Sequence, residues 1–197
     1  PDWLVRRIAV QMMNPAIDRV RPVVIAALKD PSMHVRIEAV RSFGRGLATI
    51  RDCGPLMAAM DDREPLVAMQ AMDSVVPPAN TPTSLCPDVP ALVAVLAPVA
   101  DQLSDSTRAS TWHRAARALT TLSRIAPEEA RKRLGSAKSH TAWQVRATAA
   151  TAAGVMNEGA LAIELSNDAV ANVRTAAIEA LVRMKHAETS AVAIRAL

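Results

Sequence analysis

The chain has 197 residues, and it has no tyrosine, one phenylalanine, three tryptophans, six glycines and two cysteines. Aromatic residues make up only 2% of it. Two cysteines cannot build a disulfide framework, and Cys53 and Cys86 belong to no CxxC or Cys/His cluster that would hold zinc. They are read as unpaired thiols, buried or bystanders, with a single bridge left open. No apolar run approaches the ~18 residues that a membrane span needs. The phosphate-cradling G-x-x-x-x-G-K-[ST], the dinucleotide G-x-G-x-x-G and the nucleophile elbow G-x-S-x-G are all missing. Four scattered histidines, His34, His113, His140 and His186, share no i, i+4 pairing. The carboxylate pair Asp61-Asp62 falls at a turn, where capping is the expected role and the separated pKa values of acid/base catalysis are not. No catalytic residue, metal or cofactor is therefore expected, and the chain is read as a non-enzyme.

What the sequence does have is alanine. There are 39 of them in a chain that is 50% hydrophobic and 21% charged. Such a composition excludes intrinsic disorder and favours helix over strand. A short phrase also recurs: Val5-Arg6-Arg7-Ile8-Ala9, Val35-Arg36-Ile37-Glu38-Ala39, Val145-Arg146-Ala147-Thr148-Ala149 and Val173-Arg174-Thr175-Ala176-Ala177. Weaker copies stand at Val67–Ala71 and Thr111–Ala115, with Ala68 and Trp112 in the arginine slot. The slots at 6, 36, 68, 112, 146 and 174 are 30, 32, 44, 34 and 28 residues apart. The long interval contains Pro77, Pro78, Pro82 and Pro87, so an insertion loop is expected over 76–88.

Two further anchors recur with the phrase. Asp30, Asp62 and Asp168 stand six residues before the slot, and Pro22, Pro55 and Pro98 stand thirteen or fourteen before it. Inside each unit the apolar period is helical, as in Val173, Ala177, Ala180, Leu181 and Met184 or in Ile17, Val20, Val24 and Leu28. The unit is helix, turn, helix. First helices are expected near 16–29, 53–61, 88–104, 127–137, 157–166 and 188–197. Second helices are expected near 2–13, 32–47, 64–76, 107–125, 140–155 and 169–185. Each helix is apolar over more than half its circumference, so one partner cannot cover it, whereas a neighbour on either side can. That is the logic of a repeat array.

On the phrases Asp30-Pro31-x-x-x-Val35-Arg36-x-x-Ala39 and Asp168-x-x-x-x-Val173-Arg174-x-x-Ala177, the sequence resembles the HEAT-repeat family, in its short bacterial form found in phycobilisome-lyase-like proteins. The resemblance implies an all-α, right-handed α-solenoid of about five to six helical hairpins. It runs over 1–197 as a single domain, part of a longer protein. It also implies a hydrogen-bonded ladder between turn aspartates and helix arginines: Asp30, Asp62 and Asp168 with Arg6, Arg36, Arg146 and Arg174. The ladder should be interrupted at Ala68 and Trp112. Pro22, Pro55 and Pro98 are implied as kinks in the first helices.

In such an array the second helices line the concave side. Counting about 100° per residue from the arginine slot, the positions opposite the core are +1, +5 and +9. They place Arg7, Gln11, Ile37, Arg41, Arg45, Met69, Asp73, His113, Arg117 and Glu179 on that side. The mixture of apolar and charged groups suits a protein or peptide partner. It lacks the uniform basic stripe interleaved with aromatics that a nucleic-acid channel needs. The alternative is nucleic-acid binding through residues 106–146, which carry a net charge of +7 and include Arg108, Arg114, Arg117, Arg124, Arg131, Lys132, Arg133 and Lys138. A third reading is an accessory array of a larger enzyme, a lyase or isomerase subunit. No membrane partner is expected. The chain is read as soluble, with the cytoplasm slightly favoured and the periplasm or exterior left open.

Overall fold

The structure, a computed structural model, describes residues 2–78, 84–105 and 112–196. Among these residues there is no strand. The helices in order are α1 (Trp3–Gln11), α2 (Arg21–Ala27), α3 (Met33–Ile50), α4 (Gly54–Ala59), α5 (Pro65–Ser74) and α6 (Val89–Asp101). After one 3-10 turn, Gln102–Ser104, come α7 (Trp112–Ile125), α8 (Pro127–Lys138), α9 (Trp143–Met156), α10 (Gly159–Leu165), α11 (Ala171–Met184) and α12 (Thr189–Ala196). No helix among the described residues is long and apolar enough to cross a membrane. The expected beginning of the helix over 107–125, Arg108 and residues 79–83 of the loop over 76–88 lie outside the described residues.

Helix and turn fall where the sequence period places them, with one clear difference. A helix is expected over 16–29, but α2 starts at Arg21. Asn14 accepts the Ala16 N–H at 3.0 Å, and the Ile17 N–H is tied to the Asn14 carbonyl, which winds 14–20 into turns. Pro22 then stands in the first turn of α2, where its missing N–H leaves no helical bond unmade. Pro55 does the same for α4. These two prolines open helices and do not kink them; only Pro98 lies inside one, α6.

Contacts divide the chain into two compact units, Pro1–Val95 and Leu96–Leu197. In the first, α3 packs against α1 on one side and α5 on the other, with α2 and α4 also against it. Its core is built from large side chains: Phe43, Leu47, Leu56, Met60, Met72 and Leu92 are fully buried. In the second unit, α9 packs between α7 and α11, flanked by α8 and α10. Leu119, Leu122 and Leu181 are buried there, but much of the packing surface is alanine: Ala149, Ala150, Ala152, Ala153, Ala177 and Ala180.

The small residues let helices approach closely. A Cβ on Gly154 of α9 would lie 2.8 Å from the Ala180 Cβ and 3.0 Å from its Cα on α11. A Cβ on Gly44 of α3 would lie 2.8 Å from the Ser74 Cβ on α5. Both glycines stand eight residues after an arginine slot, so the two units place their closest approach at the same position of the repeat.

The cysteines correct the sequence reading. Cys53 and Cys86 are bonded to each other, and both are buried. Their separation of 33 residues hides the pairing in the sequence. The bond ties the loop that follows α5 to the start of α4.

Candidate functional site

The turns that join the helices are organised by arginine and aspartate. Arg36 donates from Nε and Nη2 to the two carboxylate oxygens of Asp62, at 2.7 and 2.9 Å. Its Nη1 donates to the Asp30 and Pro31 carbonyls, at 2.9 and 3.2 Å. Arg146 repeats the pattern with Asp168, at 2.6 and 2.9 Å, and with the His140 and Thr141 carbonyls. Arg6 makes the same fork with Asp30, at 2.7 and 2.9 Å. Each of these aspartates also accepts the N–H two residues on, from Ser32, Glu64 or Val170, at 2.8 Å. Arg174 donates to the Asp168 and Ala169 carbonyls.

Bidentate, charge-assisted bonds of this kind favour the ionised carboxylate. The Arg6 bond holds Asp30 below the usual carboxylate range against the opposing effect of burial, and the Arg146 bond does the same for Asp168. At Asp62 burial is the largest influence and pushes upward, but Arg36 and the Glu64 N–H together outweigh it. Where Trp112 replaces the arginine, the turn before the next arginine slot holds His140 instead of aspartate. His140 is buried, and its Nδ1 accepts the Ala142 N–H at 3.0 Å, the bond that an aspartate oxygen makes elsewhere. With no guanidinium to match, an imidazole nitrogen serves the turn.

The ladder residues are satisfied by one another. The less committed chemistry lies on the exposed sides of α1, α3 and α5. Glu38 of α3 is only 7% exposed, an uncommon place for a carboxylate. Arg45 approaches it at 3.6 Å and Arg41 at 4.0 Å. Arg41 Nε donates to Gln70 Oε1 of α5 at 3.0 Å, and Arg45 Nη2 donates to the Gln11 carbonyl at 3.0 Å. Arg7 of α1 is half-buried, and its Nε is shielded from solvent without a hydrogen-bond partner. The Trp3 ring lies 5.0 Å from the His34 ring.

Two hollows open on this side and share Arg41. One, of about 210 Å³, is lined by Arg7, His34, Ile37, Glu38 and Arg41. The other, of about 450 Å³, is bordered by Arg41, Arg45, Gln70, Ser74, Val76, Pro78 and Leu85, and so is more apolar. A third cleft, of about 670 Å³, runs beside Asp30, Arg36 and Asp62, whose charges already face one another.

Of the residues expected on the concave side, the two hollows gather Arg7, Ile37, Arg41 and Arg45. Gln11 contributes a carbonyl to Arg45. Met69 and Asp73 line neither hollow. His113, Arg117 and Glu179 are exposed and belong to the second unit, where the His113 ring stacks on Trp112 at 3.7 Å. Counting from +1, +5 and +9 missed Glu38, His34 and Gln70. Glu38 and Gln70 occupy the +2 position, at about 200° on the helical wheel, between the exposed side and the buried stripe. A charged residue at that border was the available signal.

The basic block is largely engaged along α8. Arg131 bonds Glu128 and Glu158, Lys132 bonds Glu129, Arg133 bonds Asp101 and Glu129, and Lys138 bonds Glu164. A phosphate backbone would have to displace those carboxylates. Among the described residues, no group of three or more His, Cys, Asp or Glu could hold a metal ion. No family model matches the chain, and no curated protein matches it either.

Proposed function

We propose that the chain is a non-enzymatic interaction scaffold, a right-handed α-solenoid resembling HEAT repeats that binds a protein or peptide partner along the exposed sides of its second helices. The observation that carries the proposal is the pair of hollows around Arg41, one charged and one apolar, on adjacent helices. Interface centres join apolar contact to a few directed polar groups, and arginine is among the residues that dominate their energetics. The packing of α3 between α1 and α5, and of α9 between α7 and α11, supports the repeat architecture. The Cys53–Cys86 bond supports an oxidising compartment over the cytoplasm.

Selecting peptides from a random library on the full chain and measuring their affinity by titration calorimetry tests the proposal. Arg41→Glu should weaken a selected peptide at least about tenfold, the effect of replacing an attractive charge with a repulsive one. Arg117→Glu tests the corresponding exposed side of α7 in the second unit separately. Unchanged affinity in both variants removes the assignment of the binding face.

A further inference from the structure

The smaller hollow has a charge balance that points to its ligand. Arg7 and Arg41 bring two positive charges, and the Glu38 carboxylate is shared between Arg45 at 3.6 Å and Arg41 at 4.0 Å. The lining therefore keeps an excess of positive charge. The Arg7 Nε–H is withdrawn from water with no acceptor, so this side chain gains a bond if it turns toward an oxygen in the hollow. At about 210 Å³ the space is below the range of drug-sized ligand pockets and suits the end of one side chain.

We propose that the hollow formed by Arg7, His34, Ile37, Glu38 and Arg41 is a binding site for a single carboxylate, presented by an aspartate or glutamate of a peptide partner. The proposal rests on the interaction face described above and specifies what that face recognises. A carboxylate meets that positive charge and takes the Arg7 bond in the geometry that guanidinium groups favour. A phosphate dianion would set two negative charges against the Glu38 carboxylate, which lines the same space. Beyond Arg41, the hollow bordered by Val76, Pro78 and Leu85 offers an apolar seat for a neighbouring residue of the same peptide. The motif recognised is therefore an acidic residue close in sequence to an aliphatic one.

The test titrates the full chain with acetate and, separately, with inorganic phosphate, at constant ionic strength, while the backbone amide signals of residues 7 and 34–41 are followed by NMR. Acetate should produce saturable shifts at these residues. Arg7→Gln should weaken the saturation about tenfold, the size of one charge-assisted bond. Arg63→Gln, in the separate cleft beside the ladder, should leave it unchanged. Retained helical ellipticity and melting temperature keep the Arg7→Gln result interpretable, and Arg7→Lys, which keeps the charge without the fork, should recover part of the affinity. Absence of saturation, or tighter saturation by phosphate than by acetate, overturns the proposal. A selected peptide that loses affinity in Arg41→Glu but not in Arg7→Gln, or that tolerates replacement of its acidic residues by amides, overturns the carboxylate site and leaves the interaction face standing. Acetate saturation in a chain that selects no peptide leaves the carboxylate site standing and removes the face.

Discussion

The two compact units use the same repeat and reach different surfaces. In the first, Phe43, Leu47, Met60 and Met72 fill the space between helices, and the side chains beyond them are long: Arg7, Arg41 and Arg45, with Glu38 drawn in among them. In the second, Ala149, Ala150, Ala153, Ala177 and Ala180 fill that space, and α9 meets α11 at Gly154. On α9 the exposed-side positions that correspond to Ile37 and Arg41 are Ala147 and Thr151. Both pairs of helices approach closely, at Gly44 and Ser74 in the first unit and at Gly154 and Ala180 in the second, so the difference lies in the exposed side chains: long arginines on α1 and α3 border the hollows, where α9 carries short residues. Repetition of a helix pair thus sets where the helices go, and the length of the exposed side chains sets how the surface between them is shaped.

Reducing the Cys53–Cys86 bond should break the comparison most strongly. A bond closing 33 residues constrains the unfolded chain by about 3–4 kcal/mol. Hydrogen exchange in the reduced protein should quicken at α4 and α5 and leave α9 and α11 unchanged. Equal quickening in both units would show that they unfold as one.

The ladder sharpens the comparison next. Arg36 has only 6% of its side chain exposed and Arg146 has 17%. Asp62→Asn strands the more buried guanidinium and should cost about 2–3 kcal/mol in urea unfolding, and Asp168→Asn should cost about 1–2 kcal/mol. The pH dependence follows from the same bonds. The carboxyls of Asp30, Asp62 and Asp168 lie below their ordinary range in the folded chain. Their stabilisation is complete above the unfolded value of about 4 and is lost as pH falls through the lowered folded values. Asp62→Asn should flatten the fall in stability as pH drops below about 4.

The smallest effect concerns the close approaches. Gly154→Ala drives a methyl group toward both Cβ and Cα of Ala180, so a whole helix has to move. The strain exceeds the gain in helix propensity, for a net loss of about 1–2 kcal/mol. Gly44→Ala presses chiefly on the Ser74 side chain, with the Ser74 Cα at 3.7 Å, and should cost less. Thermal unfolding of the two variants measures the difference.

Much of the helical framework was legible because the apolar period and the arginine phrase are local signals. The expected helix over 169–185 and the observed α11 differ by two residues at one end and one at the other. The early part of α2 was not legible, because Ile17 and Val20 continue an apolar stripe through residues that Asn14 and Pro22 keep in turns. The substitution of His140 for a turn aspartate was equally hidden, since histidine is no usual capping residue and its use depends on a neighbouring slot that lacks arginine.

By itself the sequence determined the helices, their turns and the repeating arginine and aspartate positions, since each depends on residues within a turn or two along the chain. Tertiary structure alone decided that Cys53 meets Cys86, that Glu38 is buried among arginines, and that Arg7 keeps an unused donor beside a hollow. Those outcomes depend on which side chains of different repeats the packing brings together, and no local period encodes that.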